Sequence, residues 1–155
     1  MKIRVKASVK PTEDKEKVIK AIKNIFDGEL VVSEVQEGYY IIEGYSNKKE
    51  SLDKLYNAIR VEQIIAAARS ILKKKTYRNK IKLLLHKQAA YAGKISFIDN
   101  ERESPLGAIY LEIEAEKPDE IIDWLAPEIK TRRSKKKSSR KQRSVRKQNL
   151  RKTFK

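Results

Sequence analysis

Cysteine is absent from the 155 residues, and histidine and tryptophan occur once each. Disulfides, thiolate metal sites and cysteine nucleophiles are therefore excluded. A zinc site of the usual kind needs several thiolate or imidazole ligands, and His86 alone does not supply them. Glycine is scarce as well: the five glycines, Gly28, Gly38, Gly44, Gly93 and Gly107, stand singly, so no glycine-rich phosphate loop forms and nucleotide sites of the P-loop or dinucleotide kind are not expected. No apolar run approaches the roughly twenty residues that cross a bilayer. The N-terminus alternates Lys2, Ile3, Arg4, Val5, Lys6 and Ala7 and lacks the continuous apolar segment of a secretory signal. The expectation is a cytoplasmic chain with no membrane association and no cofactor.

What the chain has in excess is positive charge, 37 Lys and Arg against 21 Asp and Glu, a formal net charge of +16. Fourteen of those cations and none of the acids fall in residues 130–155, which leaves residues 1–129 with 23 cations against 21 anions, a net +2. The chain divides accordingly into a nearly neutral domain, 1–129, and a basic tail, 130–155. The tail has only Val145, Leu150 and Phe154 as large apolar groups. It cannot build a core and is expected to be disordered when alone.

Hydrophobic periodicity organises the domain. Ile3, Val5, Ala7 and Val9 alternate with polar residues, as in a strand with one buried face. Thr12 is the expected N-cap of a helix that runs to about Phe26, with Val18, Ile19, Ile22 and Ile25 at helical spacing and Gly28 at its end. Leu30 to Val35 and Tyr39 to Tyr45, around Glu37-Gly38, predict a β-hairpin. Lys48 to Lys74 has neither Pro nor Gly and keeps a helical period, as one helix or as two joined near Arg60. Ile81 to Leu85 predicts a strand, Lys87 to Ala92 a short segment ended by Gly93, and Lys94 to Ile98 another strand. Ile109 to Ala115 alternates again, and Pro118 to Leu125 forms a last amphipathic helix with proline in its first turn. The sum is an α+β fold, a mostly antiparallel sheet with helices packed on it.

Several segments together, in order and spacing over residues 2 to 129, resemble an archaeal uncharacterised protein family, number 0201. They are Pro11-Thr12-Glu13-Asp14, the helix around Gln63 and Ala68-Arg69, Lys87-Gln88-Ala89-Ala90 with Gly93-Lys94, Ser104-Pro105-Leu106-Gly107, and Asp123-Trp124-Leu125-Ala126-Pro127. The resemblance implies an RNA-binding protein likened to predicted exosome subunits. It also implies a fold like that of the fifth protein of the large ribosomal subunit, a homodimer, and no established enzymatic activity. The basic tail lies outside the family pattern.

Within the domain, the candidate nucleic-acid site is the stretch Lys73, Lys74, Lys75, Tyr77, Arg78, Lys80 and Lys82, where cations can hold phosphates while Tyr77 stacks on a base. Lysines at a helix C-terminus also stabilise the helix dipole without any ligand, and both readings stand. Lys87 and Gln88 join the candidates as polar residues amid alanines. In the tail, Arg132, Arg133, Lys135, Lys136, Lys137, Arg140, Lys141, Arg143, Arg146, Lys147, Arg151 and Lys152 are candidate phosphate contacts. Extended, 26 residues reach roughly 90 Å. His86 reads as hydrogen-bonded or solvent-facing, Arg69 as an ion-pair or interface anchor, and Trp124 as core or interface. Glu112, Glu114 and Glu116 on one strand face, and Asp99, Glu101 and Glu103 in a loop, are the only carboxylate groupings that raise metal chemistry. The first is what a solvated sheet edge ordinarily shows, and the second lacks the Gly turn and terminal Glu of an EF-hand loop, so hydrated surface is the expectation for both.

The expected function is non-enzymatic RNA binding, through the tail and the Lys73 to Lys82 surface. Two rival readings are a dimeric scaffold or assembly factor in an RNA-processing or ribosomal complex, and a metal-dependent RNA-processing enzyme.

Overall fold

In β1 (Lys2–Val9) the odd-numbered side chains are buried and the even-numbered ones exposed, as the alternation predicts. The computed structural model describes residues 1–104 and 106–129. The expected tail, 130–155, lies outside the described residues, as does Pro105. β1 pairs antiparallel on one side with β3 (Tyr39–Ser46) and on the other with β7 (Ala108–Glu114). Beyond β3 lies β2 (Leu30–Gln36), joined to it through a turn at Gly38, where φ is +80°. Beyond β7 lies β5 (Lys80–His86), whose outer edge carries β4 (Thr76–Tyr77) at one end and β6 (Phe97–Ile98) at the other. The order β2-β3-β1-β7-β5-β4 is antiparallel throughout.

The helices α1 (Lys15–Lys23), α2 (Asp53–Val61), α3 (Ile65–Lys74), α4 (Lys87–Tyr91) and α5 (Pro118–Leu125) contribute to one apolar core with the sheet. In that core Ile3, Val5, Leu83, Leu85, Leu111 and Ile113 meet Ile22, Leu55, Leu72 and Ile122. The α+β expectation holds. Among the described residues the helices pack into one core on one face of the sheet and none covers the opposite face, whose side chains define the surface considered below.

Several local expectations are corrected. The N-cap of α1 is Asp14, whose carboxylate accepts from the Glu16 amide at 3.0 Å, not Thr12. The helix ends at Lys23, and Ile25 and Phe26 are buried beyond it. Of the two readings of the long helical stretch, the one with two helices joined near Arg60 holds, and the chain breaks between them where Gln63 turns left-handed at φ 57° and the Ile64 amide reaches back to the Ile59 carbonyl. Of the strand expected over Lys94 to Ile98, only β6 forms. Neither β4 nor the hairpin turn that follows it was expected.

Gly44 is required for space rather than conformation. A Cβ there would lie 2.7 Å from the Phe26 ring and 2.8 Å from Leu30, and both rings and branches are held in a packed core. Gly44→Ala is expected to cost about 1–3 kcal/mol by overpacking, read as a lowered midpoint in urea at unchanged slope. An unchanged midpoint would mean that Phe26 has room to move.

Candidate nucleic-acid interface

Residues directly opposite in a sheet point to the same face, so the pairing register places the uncovered side chains in rows. One row runs Tyr45, Arg4, Glu112, Lys82. The next runs Glu43, Lys6, Tyr110, Leu84, and a third sets Lys2, Glu114 and Lys80 side by side. Lys2, Arg4, Tyr45, Lys80, Glu112 and Glu114 together line a small depression of about 60 Å³. The face thus carries five cations, three carboxylates and two tyrosine rings, with Tyr45 54% exposed. Arg4 and Lys82 sit two strands apart, about 10 Å at ordinary strand spacing. Lys80 Nζ, on a side chain 43% exposed, lies 3.5 Å from Glu112 Oε1, whose side chain is largely covered.

At the β4 edge the hairpin turn adds a second group. Tyr77 is 71% exposed, and Arg78 follows it at φ 56°, with its guanidinium 5.3 Å from the Tyr77 ring centroid. A left-handed non-glycine residue costs about 1–2 kcal/mol, which the two-residue turn between paired Tyr77 and Lys80 imposes. Lys73 and Lys74 are exposed in the last turn of α3, where they also complement its dipole. Lys75 is half-buried and pairs with Asp99 at 3.4 Å. The structure therefore brings Lys80 and Lys82 onto the open face and sets Tyr77 and Arg78 at its rim. Lys2, Arg4, Lys6, Tyr45 and Tyr110 were missed as site residues. The signal was present in the polar positions of β1, which alternation marked only as wet.

Lys87 departs from expectation. It is 4% exposed, and its ammonium donates to the Ser8 carbonyl, to the Leu106 carbonyl at 2.7 Å and to Glu13 Oε2 at 3.2 Å. The Glu13 side chain is just as buried, and its Oε1 also accepts from the Lys10 amide at 3.1 Å. Burial pushes the Lys87 ammonium below the usual lysine value of 10.5, and the Glu13 carboxylate pulls it partly back. Lys87 is thus a clamp joining the end of β1, the turn before α1, the start of α4 and the turn ending at Gly107, rather than a surface cation. Gln88, by contrast, is exposed. The alanines beside it are explained by packing on α1, where Asn24 Nδ2 donates to the Ala90 and Tyr91 carbonyls at 2.9 and 3.3 Å.

His86 caps α4, its Nδ1 accepting from the Ala89 amide at 3.3 Å. Arg69 pairs with Asp123 at 2.7 Å and donates to the Ala126 carbonyl. Trp124 stacks on Tyr56 with ring centroids 5.0 Å apart, and Arg60 covers the far face of that tyrosine while donating to the Leu125 and Trp124 carbonyls. These groups fasten α5 to α2 and α3. Among the described residues, no cluster of three His, Asp or Glu could hold a metal ion, and no helix is long and apolar enough to cross a membrane. The tail candidates, Arg132 to Lys152, lie outside the described residues.

A family model described as RNA binding matches residues 2–115, the segment that contains the whole sheet. A UPF0201 protein of Aeropyrum pernix is 44% identical over 128 residues, covering 82% of this chain and 85% of the relative. One from Sulfurisphaera tokodaii is 44% identical over 126 residues, covering 81% and 87%. The crystal structure of a UPF0201 protein from Methanococcus jannaschii superposes with a TM-score of 0.73 at 36% identity, over 84% of this chain and 96% of that one. With sequence and fold shared along nearly the full length of these relatives, the chain belongs to the UPF0201 family.

Proposed function

We propose that this protein is a non-enzymatic RNA-binding protein that lays single-stranded RNA across the open face of its sheet. The observation that carries the reading is the side-by-side placement of Arg4, Lys82, Lys2, Lys80 and Lys6 with the rings of Tyr45 and Tyr110, on a face that no helix among the described residues covers. Cations of this kind take phosphates, and exposed rings take unstacked bases without strict sequence preference. The interspersed Glu43, Glu112 and Glu114 keep the face from binding any polyanion indiscriminately and favour a chain that also offers base N–H donors. The basic tail adds sequence-independent attraction. The edge strand β2, with Val31 and Val35 exposed, supports the homodimer that the resemblance implies, since native sheets rarely leave such an edge uncovered. Two tails on one particle would raise avidity.

The test is a pair of variants titrated with single-stranded RNA across a salt series. Tyr45→Ala is expected to weaken binding by about fivefold to a hundredfold with an unchanged salt slope, as loss of one stacking contact requires. Arg4→Ala with Lys82→Ala is expected to reduce the magnitude of the slope by about 1.4, as loss of two phosphate contacts requires. Wild-type affinity and slope in both would remove the open face from the binding surface.

A further inference from the structure

Between α1 and α4 lies a cleft of about 390 Å³, within the size range of small-ligand sites and separate from the open face. Its walls are fixed, because Asn24 ties α4 to the end of α1 and the Lys87–Glu13 clamp closes one side with both side chains more than nine-tenths buried. Val18 and Ala21 supply an apolar surface. Tyr91 stands at the rim, half-exposed, with the Lys20 and Lys17 ammonium groups 5.0 and 6.0 Å from its ring centroid. Both ammonium groups lie over the ring from exposed positions, so a phosphate that draws them aside frees the ring face for a base. At the N-terminal end of α1, one turn before Lys17, the charge is reversed. Asp14 uses Oδ1 to cap α1, and no hydrogen bond or ion pair among the described residues engages its Oδ2. A carboxylate there repels a phosphate and accepts N–H donors, so it orients a nucleotide with its base edge toward Asp14 and its phosphate toward Lys17 and Lys20.

From this arrangement we infer that the α1–α4 cleft is a subsite for one unstacked RNA nucleotide. The base stacks on Tyr91 with its N–H edge toward Asp14 and Gln88, and the phosphate sits at the rim against Lys17 and Lys20. The inference rests on the RNA-binding reading and adds a contact outside the open face. It also gives Gln88 a role at a base edge instead of at a phosphate.

Titration of the ¹⁵N-labelled full chain with adenosine monophosphate, and separately with a short single-stranded oligoadenylate, tests it. Both ligands are expected to shift the amides of Lys17, Gln88 and Tyr91, with the oligonucleotide binding at least about tenfold more tightly because its neighbours engage other cations. Tyr91→Ala is expected to weaken the mononucleotide about tenfold, and Lys17→Gln, on an exposed position that leaves the packing intact, about fivefold. The Arg4→Ala, Lys82→Ala protein keeps the mononucleotide shifts, which separates failure of the open face from failure of the cleft. Oligonucleotide binding without shifts at Gln88 and Tyr91 would overturn the subsite. Equal affinity for both ligands would make the occupant a free nucleotide and overturn its assignment to RNA.

Discussion

Removal of residues 130–155 is expected to lower affinity for single-stranded RNA and to flatten its dependence on salt, while the thermal midpoint of the domain stays where it is. The tail holds fourteen of the 37 cations and no acid, so it dominates the long-range attraction of a chain whose remaining 129 residues are nearly neutral. If about seven of its charges neutralise phosphates, the tail contributes about −5 to the slope of log affinity against log salt. Between 50 and 200 mM salt that is roughly a thousandfold loss in the intact protein, and most of it disappears with the tail. What survives truncation is the contribution of the open face, weaker and less salt-sensitive, and Tyr45→Ala then removes a larger share of the total. An unaltered affinity and slope in residues 1–129 would sink this division of labour. Abolished binding would move the whole function into the tail and leave the sheet as a scaffold.

The two parts of the candidate surface were unequally legible in the sequence, for a physical reason. Alternation in β1, β5 and β7 exposed their buried faces at once, because period two is a local property. The same alternation marks the open face as wet, but of its cations only Lys80 and Lys82 stand out locally, since they follow a run of lysines, and of its carboxylates only Glu112 and Glu114. The register that sets Arg4 opposite Tyr45 and Glu112 depends on pairing between distant strands, and no local pattern states it. The break between α2 and α3 was open in the sequence, as one helix or two joined near Arg60, but its place at Gln63 was not, because neither Gly nor Pro marks the left-handed residue. Lys87 is the sharpest case. Its partners, Glu13 and Ser8, are 74 and 79 residues away, and a lysine next to Gln88 and two alanines looks like surface until the fold closes over it.

That clamp carries the largest expected effect on stability. Lys87→Met leaves the buried Glu13 carboxylate and the Ser8 and Leu106 carbonyls without their donor, and is expected to cost about 3–5 kcal/mol, the loss usual when one partner of a buried pair is removed. Glu13→Gln leaves the ammonium without a counter-charge and falls in the same range. The double variant is expected to lose clearly less than the sum, because neither charge then remains alone. The direction of the Lys87 shift adds a second signature. Its value in the folded protein lies below 10.5 because desolvation outweighs the attraction of Glu13, so between that lowered value and 10.5 the unfolded chain holds more protons than the native one. Stability contributed by this group therefore rises with pH through that interval, opposite to a lysine that gains a net favourable partner. Urea unfolding from neutral pH upward is expected to show the rise in the natural protein and its absence in Lys87→Met. A rise of equal size in both, or strictly additive losses in the double variant, would show that Lys87 and Glu13 do not act as a coupled buried pair.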